Sequence, residues 1–159
     1  MSIAAVAERA GVSKATIYRW WPSKEMLALD ALLDWSSAEE PEETGSLRED
    51  LLADVLPFVR EIRGRPFGRV IAELAAEAQS DEEFGAAYRR HFVEQRRVAM
   101  RAAFERAAER GDVPANLDVE AMIDLIYGPL YHRVLQAHAP LTDRFATLVV
   151  DIVLEGLLP

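Results

Sequence analysis

The chain has 159 residues, half of them apolar, no cysteine and a net charge of −9. This length suits one compact domain with a small appendage. The absence of cysteine excludes a disulfide framework or a thiolate metal site, and the acidic balance argues against a general nucleic-acid coat. No basic start followed by an apolar run marks a leader, and no run nears the length of a membrane span. The expected setting is therefore the cytoplasm, with no membrane partner.

Taken in chain order, Ile3, Val6, Ala7 and Ala10 fall at i, i+3, i+4 and i+7, one apolar face of a helix. Gly11 stops that helix, because glycine enters the left-handed conformation cheaply. Ser13 is placed to cap the next helix, with Ile17 and Trp21 inward and Lys14, Ala15, Thr16, Tyr18 and Arg19 outward. Two short helices joined by a tight turn, the second with basic, hydroxyl and aromatic groups outside, form a helix-turn-helix able to enter a major groove. Ser23 then caps a helix to about Trp35. Residues 36–45, broken by Pro41 and Gly45, read as a loop.

Ser46 and Glu49 form a capping box for a helix to about Arg63, with Pro57 as a kink. Gly64 and Pro66 separate it from a helix over 67–79. Ser80 and Glu83 form a second box, opening a long helix over 81–110 that Gly111 closes. Its apolar line is Phe84, Tyr88, Phe92, Val98 and Phe104. Asp118 caps a helix to about His138, in which Gly128-Pro129 predicts a kink. Thr142 caps a last helix to about Leu158. The expected fold is all-α: a DNA-binding domain with its connecting helix over 1–36, and a helical body over 46–159.

The charge is unevenly spread. Residues 1–24 carry Arg9, Lys14, Arg19 and Lys24 against Glu8, a net +3, which leaves −12 on the remainder. A basic end on an acidic body fits a protein that touches DNA at one place and is repelled elsewhere. Both lysines of the chain, Lys14 and Lys24, bracket the candidate recognition helix. Wholesale replacement of lysine by arginine elsewhere is the compositional alternative.

The run AVAERAGVSKATIYRWWPSKEML, residues 5–27, resembles the tetracycline-repressor (TetR) family of bacterial transcription regulators. Ala7, Gly11 and Ile17 match its small, turn and core positions; Tyr18, Trp21 and Ser23-Lys24-Glu25 follow in the family's order. The resemblance implies a DNA-contacting set of Ser13, Lys14, Thr16, Tyr18, Arg19, Trp20 and Lys24. Lys14, Lys24 and Tyr18 would meet phosphates, and Thr16 a base edge. Trp20 would pack on a sugar or on the neighbouring helix. The family also has an amphipathic helix ahead of this motif, and Met1 stands where that helix should already have ended. The alternative expectation is thus a shortened dimerisation and ligand-binding protein that does not grip DNA alone.

From residue 119 onward charges are sparse, and the last helix is apolar nearly all round, so it must be buried on more than one side. A second copy supplies that cover most economically, through Leu130, Val134, Phe145, Leu148, Val149, Ile152 and Val153. A helix central to its own subunit is the other solution. The resemblance points the same way, and further implies a pocket for an unidentified small-molecule effector. Candidates for it are Phe67, Glu77, Tyr88, Phe92, Tyr127 and Tyr131, which equally fit plain core. The three histidines, His91, His132 and His138, lack i, i+4 metal-ligand spacing. No phosphate loop or nucleophile elbow occurs. No catalysis, cofactor or metal is expected, and the partners are a double-stranded operator, a second copy and the effector.

Overall fold

A computed structural model describes residues 2–36, 43–63 and 67–157, and every regular element among them is helical. The helices are α1 (Ile3–Ala10), α2 (Lys14–Trp20), α3 (Lys24–Ser36), α4 (Leu47–Ile62), α5 (Phe67–Ser80), α6 (Glu82–Tyr88), α7 (Glu94–Arg110), α8 (Val119–Gln136) and α9 (Asp143–Glu155). A π-helical turn, Arg89–Val93, joins α6 to α7 without breaking the rod. Residues 37–42 of the expected loop, the Gly64–Pro66 separator and the end of the last helix at Leu158 lie outside the described residues.

Side-chain caps set most helix starts. Ser13, Asp118 and Thr142 accept from the backbone N–H three residues on, at 3.1, 3.0 and 3.2 Å. Ser46 does the same for α4 at 3.5 Å. Each satisfies one of the donors that a helix start leaves open. Gly11 ends α1 at φ +66°, with the Val12 N–H on Ala7 O.

The start of α6 differs from expectation. Asp81 caps it, accepting from the Phe84 N–H at 2.9 Å, while Ser80 closes α5 with its hydroxyl on Ala76 O. The carboxylate is the stronger cap where two candidates adjoin, since a charged acceptor also meets the positive helix end. The end of α8 differs too. The chain turns left-handed at Ala137 (φ +49°), so the helix stops at Gln136 and not at His138. The Arg133 Nη1 donates to Pro140 O at 2.6 Å across that turn.

Two apolar clusters form. The larger unites Leu29 and Leu32 of α3 with Leu51, Val55 and Val59 of α4, Phe104 of α7, Ile123, Ile126 and Leu130 of α8, and Ala146 and Val150 of α9. The smaller consists of Ile3, Ala7 and Ile17, with Val6, Trp21 and Leu27 packed on it. Ala10 is exposed, outside that face. Val98 is also exposed, although it was expected in the core line. Phe84, Tyr88, Phe92 and Phe104 are buried as expected, with Met100, Ala103 and Ala107 beside Phe104. Val98, six positions from both Phe92 and Phe104, falls on the far side of a helix of about 3.6 residues per turn.

Candidate nucleic-acid interface

α1 and α2 meet at the tight Gly11–Ser13 turn, and the buried Ile17 seats α2 on Ile3 and Ala7. That leaves one broad face of α2 open. Lys14, Ala15, Tyr18, Arg19 and Trp20 are all exposed on it. Trp20 is 69% exposed, so it does not pack on a neighbouring helix; the Arg19 guanidinium lies 5.9 Å from its ring centre. Thr16 is half-buried, with its hydroxyl 2.9 Å from Ser13 Oγ. Lys24, at the start of α3, pairs with Glu25 at 3.2 Å. Ser23 caps that helix through the Met26 N–H, and Trp21 Nε1 donates to Asp30 Oδ2 at 3.0 Å. The first bond caps α3 and the second ties it to the residue that ends α2, so the open face has a defined backing.

At the other end, α8 and α9 expose Leu125, Leu135, Leu148 and Ile152, each about half accessible or more. Of the residues expected at a contact between copies, Leu130 and Val149 are buried in the chain's own core, while Val134, Phe145 and Val153 are half-buried. Leu148 and Ile152 alone of that set are open. Leu125 and Leu135 of α8 are exposed as well, and neither was among the expected contact residues. In an all-round apolar helix the period does not say which side the subunit's own core takes. Exposed apolar faces of this kind are rare on monomers.

The body also holds an aromatic group with polar tips. Tyr127 and Tyr131 of α8 pack against Phe58 of α4, both with ring centres 5.7 Å from it. Tyr88 stacks on Phe92 at 5.2 Å. The Arg96 guanidinium lies over Phe92 at 4.2 Å and over Phe58 at 4.9 Å, and its Nη1 donates to Phe92 O at 3.2 Å. The Tyr127 hydroxyl donates to Asp54 at 2.7 Å. Burial pushes the Asp54 carboxyl above its ordinary range and the tyrosine hydroxyls higher still. Four of the expected pocket residues thus converge: Tyr88, Phe92, Tyr127 and Tyr131. Phe67 is half-buried against the same core, and Glu77 is half-buried on α5 with no hydrogen bond or ring contact to the group. Asp54, Phe58 and Arg96 were missed, because nothing in their local spacing marks them.

Residues 1–31 match the family model described as bacterial regulatory proteins, tetR family, and residues 41–153 match that of the tetracyclin repressor-like C-terminal domain. The second match alone covers more than half of the chain. The chain belongs to the TetR family. TetR-family members are helix-turn-helix transcriptional regulators, not enzymes.

The chain is 36% identical to the uncharacterized HTH-type transcriptional regulator YdeS of Bacillus subtilis (strain 168), over 95% of this chain and 75% of that one. It is 35% identical to a protein of Mycobacteroides abscessus described as DNA-binding transcriptional repressor TetR, over 96% and 80%. The crystal structure of the TetR family transcription regulator SCO0332 superposes with a TM-score of 0.83 at 36% identity, covering 99% of this chain and 87% of that one. No helix among the described residues is long and apolar enough to cross a membrane.

Proposed function

We propose that this TetR-family chain is a homodimeric repressor that binds a palindromic operator and is released by a small-molecule effector. The observation that carries this reading is the open face of α2, where Lys14, Tyr18, Arg19 and Trp20 stand exposed on a chain otherwise strongly acidic. Lys14, Lys24, Ser13 and Tyr18 hold phosphates, while Thr16, Arg19 and Trp20 face base edges and sugars. The repressor named among its relatives supports the direction of control. The exposed Leu125, Leu135, Leu148 and Ile152 support pairing of two copies through α8 and α9. Two-fold pairing sets half-sites about one helical turn, or a multiple of it, apart.

The test is to select binding sites from random duplex DNA and to measure mass by light scattering. The expected result is a palindromic site and a particle of twice the 17.8 kDa chain mass. Leu148→Asp with Ile152→Asp should give monomer and lose palindromic binding together. An unchanged dimer mass would remove this face from the reading, and selection of sites without two-fold symmetry would remove the repressor geometry.

A further inference from the structure

We propose that Lys14 is an acylation site through which an activated acyl donor, an acyl phosphate or an acyl thioester, releases this chain's hold on DNA. The proposal rests on the reading that the open face of α2 grips an operator, and it adds a covalent control to that face.

Composition and placement carry it together. Of the 18 lysine and arginine side chains, only Lys14 and Lys24 are lysines. An arginine keeps its proton and its charge, whereas a lysine amine is an acyl acceptor. Acyl transfer to side-chain amines therefore has no target on the acidic body, and both of its targets bracket α2. The two differ in their surroundings. Lys24 is engaged by Glu25 at 3.2 Å. Lys14 is exposed on the first turn of α2, a turn that contains no acid, and it engages no carboxylate among the described residues. Tyr18, four positions on, shares its side of the helix and is exposed as well, so approach from solvent is open. An ammonium free to meet an external phosphate is equally open, as the amine, to an external electrophile.

The step balances without a redox partner. The Lys14 ammonium releases one proton to solvent, and the Nζ lone pair attacks the acyl carbonyl carbon. An N–C bond forms, and the C–O bond to phosphate or the C–S bond of the thioester breaks. The leaving group takes the electrons of that bond and the second Nζ proton, and the product is a neutral amide. Acylation of both lysines lowers the net charge of residues 1–24 from +3 to +1. A phosphate contact made by a point charge is lost with the charge. Bound DNA covers the same amine, so the reaction reaches the free protein and then keeps it off the operator.

The test uses the full chain and an operator selected from random duplex DNA. Acetyl phosphate and acetyl coenzyme A are the donors, in separate arms. Peptide mass spectrometry locates the acetyl groups, and anisotropy reads operator affinity. Acetylation of Lys14 by either donor, with operator affinity weaker by on the order of tenfold, supports the assignment. Lys14→Arg combined with Lys24→Arg leaves no side-chain amine, so its affinity, whatever the starting value, should be the same before and after treatment. Lys14→Gln should keep the parent's melting temperature, because no contact within the chain is broken, and should bind the operator as weakly as the acetylated parent. Excess operator during treatment should protect Lys14, and equal acetylation with and without it would place the amine off the DNA and overturn the proposal. Lys14 left unmodified by both donors, or acetylated with affinity unchanged, overturns the proposal and leaves the repressor reading standing. An untreated chain that binds no selected duplex brings down that reading and this proposal together.

Discussion

The Tyr127 hydroxyl donates to Asp54 Oδ2 at 2.7 Å, joining α8 to α4 across 73 positions of sequence. Burial raises the Asp54 carboxyl above its ordinary 3.8. The folded chain therefore binds this proton more tightly than the unfolded one. Asp54 costs nothing below the ordinary value, and its cost grows as pH rises through the raised one. Tyr127→Phe leaves the carboxylate without its donor and should lower stability at pH 7 by about 1–3 kcal/mol in urea unfolding. Asp54→Asn keeps an acceptor and removes the charge, so the fall in stability over that window should be smaller than in the parent.

Glu120 works in the opposite sense. Hydrogen bonds from Arg101 and then Arg97 hold its carboxyl down to about 2, from an ordinary 4.5. Its contribution is present above pH 4.5 and is lost as pH falls toward 2. Glu120→Gln should flatten the melting temperature between those values, and added salt should shrink the difference, because the group is exposed. A parent and variant that lose stability in parallel over that range would remove Glu120 from the acid limb.

On DNA, Lys14→Ala should reduce the salt slope of operator binding by about 1, with no change in sequence preference. Lys24→Ala should do less, because Glu25 already engages that ammonium at 3.2 Å. Thr16→Ala should relax preference at one base position. Anisotropy titrations against single-base operator variants separate these outcomes, and an altered preference in Lys14→Ala would reverse the assignment of roles.

Gly85 lets α6 lie close to α5. A Cβ built there would stand 2.4 Å from Ala78 O, a backbone atom that has no rotamer to yield. Gly85→Ala should cost about 1–3 kcal/mol through forced backbone shifts. Equal urea midpoints for parent and variant would mean that the two helices part freely.

Ala137 is the reverse case, a residue with a Cβ at φ +49°. Ala137→Gly should raise stability by about 1 kcal/mol, read as a higher melting temperature, because glycine carries no left-handed penalty.

Local chemistry was legible in the sequence, and distant pairing was not. The caps Ser13, Asp118 and Thr142 and the stop at Gly11 follow from residue type and spacing of three or four positions, and all four sit where expected. Asp81 was overlooked because Ser80 and Asp81 are both competent caps, and helix period does not choose between neighbours. The π turn Arg89–Val93 has no local signature in the sequence. Of the aromatic group, Tyr88, Phe92, Tyr127 and Tyr131 were among the candidates the resemblance implied, but Arg96 was missed, and Asp54 and Phe58 reach the group only through the placing of α4. The exposure of Leu125 and Leu135 was not foreseen for a related reason, since a helix apolar on several sides does not announce which side its own subunit covers.

Along its outer edge, α4 is strapped to both ends of α9. Arg48 grips Asp151 with two bonds, at 2.7 and 3.3 Å, while Arg60 and Arg63 hold Asp143 at 2.8 and 3.0 Å. Between these straps, Leu51 and Val55 share one apolar cluster with Ala146 and Val150. Exposed pairs of this kind add little energy, yet they deny the two helices independent travel. The same α4 carries Asp54 and Phe58 at the aromatic group, and α9 carries Leu148 and Ile152 at the open apolar face. Were two copies to pair through Leu148 and Ile152, as proposed, a displacement of Phe58 on α4 would be carried by these straps into α9 and so to the contact between them.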